Sequence, residues 1–180
     1  MRCTTFGRRT GLRVSEYALG TANFGTGWGA GAEPDEARRI FDRFAEAGGT
    51  FLDSADGYQF GESEELTGKL ISADRDHFVL ATKFALGSAP QPDISKTGNS
   101  RKNMVASVEA SLKRLGTDYI DLLWVYCPDE LTPMTDAQYT RLAEVSAVPL
   151  GAPHDGIGAS LHRLQGGAAD RVTAPVVPVA

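Results

Sequence analysis

Cysteine is scarce. Cys3 and Cys127 are the only two, far apart and in no CxxC pair, which argues against a disulfide framework or a zinc site. The three histidines, His77, His154 and His162, share no metal-ligand spacing, so no metal site is expected. Positive charge is not in excess: 18 Lys and Arg stand against 23 Asp and Glu, for a net charge of −5. A general nucleic-acid or anionic-membrane binder needs a basic face, and neither partner is expected. Long apolar runs are missing too. The longest extends from Leu122 to Cys127, far below the ~20 residues of a membrane span. The opening residues, Met1-Arg2-Cys3-Thr4-Thr5-Phe6, hold no apolar stretch, so no signal peptide is expected and a cytoplasmic protein is. Glycine and proline, 20 and 9 of 180 residues, stay short of the ~25–30% of a low-complexity chain.

What the sequence does contain is an alternation of short apolar runs and amphipathic stretches. Arg2–Gly7 and Leu12–Val14 flank a polar turn and read as a small hairpin. Tyr17–Thr21, Thr50–Asp53, His77–Lys83 and Tyr119–Cys127 read as strands. The last is a near-continuous apolar run, which predicts burial on both faces of a parallel sheet. Between them lie three helical patterns. The first opens at Pro34, carries Ala37, Ile40, Phe41, Phe44 and Ala45 on one face, and stops at Gly48-Gly49. The second spans Ser63–Ile71, with Leu66, Leu70 and Ile71 inward. The third is capped by Ser100, carries Met104, Val105, Val108, Leu112 and Leu115 on one face, and ends at Gly116. Helical crossovers predict a parallel sheet. Further helices are expected at Asp136–Val145 and Pro153–Leu164. The fold class is therefore α/β: about four parallel βα units preceded by a β-hairpin and followed by C-terminal helices. A closed (β/α)8 barrel takes roughly 250 residues, so this chain has room for a partial barrel.

Reactive groups in parallel α/β folds gather at the C-terminal ends of strands. Here those positions hold Asp53, Lys83 and Tyr126, with Tyr58 on the loop after Asp53. A tyrosine titrates near 10. A neighbouring ammonium is expected to lower that value, and a carboxylate to hold the ammonium in place. Such a trio suits proton donation to a carbonyl oxygen. Each residue alone also has a structural reading: Asp53 as a turn cap, Tyr58 as a loop aromatic, Lys83 as a strand end reaching solvent. Trp28 is open between lining a substrate mouth and plain packing. The run Gly25-Thr26-Gly27-Trp28-Gly29 lacks the G-x-G-x-x-G spacing of a dinucleotide fingerprint. Arg38, Arg39 and Arg43 read as a solvated helix face.

The stretch Phe51-Leu52-Asp53-Ser54-Ala55-Asp56-Gly57-Tyr58, followed by Gly61-Glu62-Ser63-Glu64, resembles the signature of the aldo-keto reductase family. Gly7–Ser15 and Leu19–Gly25 resemble its opening hairpin and first strand, Leu80-Ala81-Thr82-Lys83 its lysine strand, and Ser107–Leu122 the helix and strand before its catalytic histidine. Leu142–His154 is similar to the extreme C-terminal segment of one bacterial branch. The resemblance implies two regions: residues 1–134 as the N-terminal half of a TIM barrel, and 135–180 as a helical tail matching the closing segment, with the middle missing. It implies reduction of an aldehyde or ketone with NADP(H), and a small-molecule carbonyl substrate. The catalytic set it implies is Asp53, Tyr58, Lys83 and Tyr126, with Tyr58 the proton donor and Tyr126 where the family has histidine. Gly20, Thr21, Ala22, Asn23 and Asp53 are the implied contacts to the nicotinamide half.

Four parallel strands alone leave two edges and an apolar inner face. Exposing several hundred Å2 at about 25 cal/mol per Å2 costs on the order of 10 kcal/mol. Three arrangements are open: the tail helices cover the face, two copies close as a homodimer of half-barrels, or the chain folds poorly. Three functions are open with them: an impaired NADPH-dependent reductase, a non-catalytic binding or assembly subunit, and a decayed truncated product.

Overall fold

The computed structural model describes residues 1–7, 10–127 and 132. The boundary expected at 134/135 and the helices expected at 136–145 and 153–164 lie outside the described residues.

Two short strands, β1 (Cys3–Thr5) and β2 (Arg13–Ser15), pair antiparallel with Thr4 opposite Val14. Next come β3 (Ala18–Gly20), α1 (Pro34–Glu46), β4 (Phe51–Asp53), α2 (Glu62–Ile71), β5 (Val79–Phe84), α3 (Arg101–Leu115) and β6 (Leu122–Val125). Strands β3 to β6 form one parallel sheet in chain order. Leu19 pairs with Leu52, Leu52 with Leu80, and Lys83 with Trp124. This is the expected hairpin plus a four-stranded parallel sheet, its strands joined by three helices among the described residues.

The helices begin and end where local chemistry dictates. Proline opens α1, Asp35 and Glu36 complement its N-terminal dipole, and Gly48 leaves it with φ 81°. Ser100 caps α3 by accepting the amide of Asn103, at 3.2 Å, and Gly116 ends it in the left-handed region.

One face of the sheet packs against the helices. Leu52 and Leu80 are fully buried there, with Phe41 from α1, Ile71 from α2, and Leu112 and Leu115 from α3. Ile40 differs from expectation. The buried face of α1 centres on Ala37 and Phe41, so Ile40 falls at its margin and is exposed. The other face carries Phe51, Asp53, Lys83 and Trp124, and the hairpin covers part of it. Phe6 packs edge-on against Phe51 and Trp124, at 5.6 and 6.0 Å between ring centroids. Ser15 Oγ accepts the amides of Thr50 and Phe51.

Two strands differ in extent from the sequence pattern. The third starts at Val79, because Arg75–His77 forms a 3-10 turn. The fourth is confined to Leu122–Val125. Asp121 Oδ2 accepts from Leu80 N and Arg75 Nη2, while Arg75 Nη2 also bonds the Tyr119 carbonyl. Side chains thus occupy the groups a longer strand would have paired. All four residues of β6 are half-buried, not buried on both faces as predicted. Among the described residues β6 is the sheet's last strand. No described helix is long and apolar enough to cross a membrane.

Candidate active site

The C-terminal ends of β4 and β5 bring three of the predicted residues together. Lys83 Nζ donates to Asp53 Oδ2 at 2.8 Å, to the Ser54 carbonyl at 2.7 Å and to Tyr58 Oη at 2.9 Å. An ammonium has three protons, and three acceptors take them. The lysine is therefore fixed in one orientation rather than reaching freely to solvent. Its side chain is 16% exposed and that of Asp53 32%, so water weakens the pair without dissolving it. Asp53 does not cap a turn with its side chain; its backbone carbonyl accepts from Thr21 N at 3.0 Å.

Tyr126 follows β6 and stands beside Tyr58, ring planes 86° apart and centroids separated by 6.1 Å. The Lys83 ammonium lies 5.8 Å from the Tyr126 ring centroid.

The ammonium was expected to lower the Tyr58 pKa, but Tyr58 is raised above 10. Burial pushes the phenol up first, the Asp53 carboxylate adds to this, and the Tyr126 hydroxyl pulls back. Burial is the main reason, and Asp53, seated against the lysine, opposes the lysine's field at the phenol. Tyr126 is raised too, chiefly by burial and by Tyr58, with Lys83 opposing.

The proposed cofactor-side residues line the end of β3. Gly20 is exposed, with open space where a Cβ would stand. Thr21 is fully buried and its hydroxyl reaches both the Asp53 carbonyl and Ser63. The carbonyls of Ala22 and Asn23 accept from Gln59 Nε2 and Ala32 N. Space over Gly20, next to Asp53, suits a flat ring, so the residues present fit the nicotinamide end.

A cavity of about 200 Å3 adjoins Tyr58, lined by Trp28, Phe60, Leu86 and Tyr126 among others. Trp28 settles in the mouth: its ring lies edge-on to Tyr58 at 6.2 Å and to Phe60 at 6.4 Å, and it is 48% exposed.

Sequence reasoning missed the groups behind this wall. Gln59 and Phe60 hold left-handed backbone, φ 51° and 56°. For non-glycine residues that costs about 1–2 kcal/mol each. Asp56 is buried, and its Oδ1 has no hydrogen-bond partner. Burial and the nearby Glu64 carboxylate push its pKa up to about 6, against Arg114 and the bonds from Ser107 and Gly57. Glu64, fully buried, accepts from Arg114 Nε at 2.7 Å and from Thr82 Oγ1 at 2.6 Å. The only available signal was the crowding of acids in Asp53, Asp56, Glu62, Glu64 and Glu65, which does not say which of them is buried. Among the described residues no cluster of His, Cys, Asp and Glu could hold a metal.

The family model described as "Aldo/keto reductase family" matches residues 17–148. A norsolorinic acid reductase of Aspergillus flavus is 43% identical over 135 residues, covering 70% of this chain and 35% of the relative. An aryl-alcohol dehydrogenase [NADP(+)] of Phanerodontia chrysosporium is 40% identical over 129 residues, 64% of this chain and 34% of the relative. Among solved structures, an aldo-keto reductase of Bacillus halodurans in its holo form superposes with TM-score 0.66 at 32% identity, over 81% of this chain and 46% of that one. The chain thus spans about a third of the length of these curated relatives. Its four parallel units correspond to part of a barrel. The match across residues 17–148, together with this superposition, shows that the chain belongs to the aldo/keto reductase family.

Proposed function

We propose that the site reduces an aldehyde or ketone to the alcohol with NADP(H), Tyr58 giving the proton. The observation that carries this reading is Lys83 Nζ bonded at once to Asp53 and Tyr58. Tyr58 holds its proton at neutral pH, because burial and Asp53 keep its pKa above 10. Lys83 donates to Tyr58 Oη and stabilises the phenolate left after transfer. Asp53 keeps that ammonium oriented. Tyr126, at the place where the family carries histidine, contacts the carbonyl as well as Tyr58. When bound, NADPH would supply the hydride; Gly20, Ala22, Asn23 and Asp53 are the residues that would hold its nicotinamide end, with the fully buried Thr21 fastening the end of β3 to Asp53 behind them. The dehydrogenase from Phanerodontia names NADP(+) in its description, which supports the choice of cofactor.

The substitution at Tyr126 supports a weakened form of the same activity. A phenol is larger than an imidazole, and here its ring stands edge-on against Tyr58. A non-catalytic binding subunit is the second reading, favoured by the same residue. NADPH fluorescence titration, followed by NADPH consumption with an aldehyde, separates them. Binding with turnover that Tyr58→Phe abolishes supports the reductase. Binding without turnover supports the weakened site. No binding by a folded, monodisperse chain supports the second reading, and turnover that survives Tyr58→Phe refutes the role of Tyr58.

A further inference from the structure

The glycine-rich stretch after β3 has no dinucleotide spacing, yet its backbone is tied down at five points by two side chains. Gln59, 1% exposed, donates from Nε2 to the carbonyls of Ala22 (3.0 Å) and Ala30 (3.2 Å), and its Oε1 accepts the amide of Trp28 at 2.8 Å. All the polar atoms of this buried amide are used. Glu62 Oε2 accepts the amides of Thr26 (2.7 Å) and Gly27 (3.0 Å). The loop lies so close on this pair that side chains are excluded. A Cβ on Gly27 would stand 2.5 Å from the Gln59 carbonyl oxygen, and one on Gly31, at φ 148°, would collide with the Gly25 carbonyl. A Cβ on Gly25 would likewise meet Glu62 Oε2 at 2.5 Å, so contact with the pair accounts for Gly25 and Gly27, and the loop's own fold for Gly31.

The two clamping residues flank a kink that ordinary side chains avoid. Gln59 and Phe60 both hold positive φ. Strained backbone persists where surrounding contacts over-determine it, and such positions cluster at ligand clamps. Here the strain aims Gln59 inward at the loop and leaves Phe60 in the cavity wall against Trp28.

We propose that Gln59 and Glu62 are positioning residues for substrate selection. By fastening the loop of residues 22–31 they hold Trp28 as a fixed wall beside Tyr58, and the cavity thereby favours flat, unsaturated carbonyl compounds over puckered saturated ones. The substrate preference rests on the carbonyl-reductase reading; the fastening of Trp28 does not. A ring that stacks on aromatic walls gains contact only if those walls are already ordered, because ordering them on binding consumes the gain. Trp28, Phe60 and Tyr126 supply the aromatic edges and faces.

The test uses the full 180-residue chain carrying Trp124→Phe, so that Trp28 is its single tryptophan. Gln59→Leu and Glu62→Ala are each expected to raise acrylamide quenching of Trp28 about twofold with unchanged far-ultraviolet circular dichroism, as for a loop released locally. Glu62→Gln keeps an acceptor oxygen and is expected to behave as the parent. Should one variant fail to fold, the other decides. Quenching unchanged in the folded variants, or loosening in Glu62→Gln as large as in Glu62→Ala, overturns the clamp. Substrate selection is read from the Trp28 indole N–H resonance during titration with 2-naphthaldehyde and with its fully saturated counterpart. The parent is expected to bind the flat compound about fivefold tighter, the size of one aromatic contact, and the released variants to lose that ratio. Equal affinities in the parent, binding of neither compound, or a ratio that survives release overturns the selection claim. None of these measurements uses turnover. A chain that neither binds nor consumes NADPH would sink the reductase reading and leave the clamp standing or falling on its own result.

Discussion

Replacing Asp53 with asparagine should make Tyr58 more acidic, although the change removes the partner of the lysine that touches it. Lys83 Nζ lies 2.8 Å from Asp53 Oδ2 and 2.9 Å from Tyr58 Oη. Those two distances bound the separation of carboxylate and phenol oxygens at about 5.7 Å. At an effective dielectric constant of ~20, a carboxylate charge that far away disfavours the phenolate by about 3 kcal/mol. Asp53 is a third exposed, so solvent trims this to about 1–3 kcal/mol. Asp53→Asn leaves Lys83 unopposed and should lower the Tyr58 pKa. Lys83→Met does the reverse. It removes a charge-assisted hydrogen bond of about 1.5–3 kcal/mol and should raise the Tyr58 pKa further. The assay is alkaline titration of phenolate absorbance, with the matching Tyr58→Phe chain subtracted to isolate this residue. Shifts of the same sign in the two variants, or no shift in Asp53→Asn, would refute the opposition of Asp53 and Lys83 at the phenol.

Tyr126→Phe deletes the hydroxyl that holds Tyr58 down and should raise it further in the same titration. Because Tyr58 stays protonated through neutral pH, its contribution to carbonyl reduction should be flat until pH approaches its raised pKa, whereas alcohol oxidation, which needs the phenolate, should climb with pH; initial rates in both directions across pH check this. Arg114→Met strands the fully buried Glu64 and should cost about 3–5 kcal/mol in urea unfolding at pH 7. Asp56→Asn should stabilise the chain. The carboxyl of Asp56 has a native pKa of about 6 against an ordinary 3.8, so between those values the native state holds the extra proton and stability falls as pH rises. The full penalty, about 1–3 kcal/mol, is present above pH 6 and absent below 3.8; urea midpoints at pH 7.5 and 3.5 should show the gain at the first and none at the second.

How much of this was legible in the sequence depends on the range over which each residue acts. Helix starts and stops are local, and Pro34, Gly48, Ser100 and Gly116 perform the capping roles their chemistry implies. Strand order was legible because each apolar run is followed by a helix, which forces parallel neighbours. The trio at the strand ends was legible for the same reason: parallel register places Asp53 and Lys83 on adjacent strands with side chains on one face. What escaped is what acts across the chain. The short fourth strand depends on Arg75, 46 residues from the Asp121 carboxylate it grips. The direction of the Tyr58 shift depends first on how deeply the phenol is buried and then on the Asp53 carboxylate, and no spacing rule supplies either. Gln59 is the sharpest case. Beside Tyr58 it reads as an exposed polar loop residue, and glutamine disfavours positive φ. Yet its amide is buried, and it joins three backbone groups about 30 residues upstream. The glycines at 25 and 27 were visible as a motif without a purpose, because they leave room for the Glu62 side chain and the Gln59 backbone. Their role could be read only once the two segments were brought face to face.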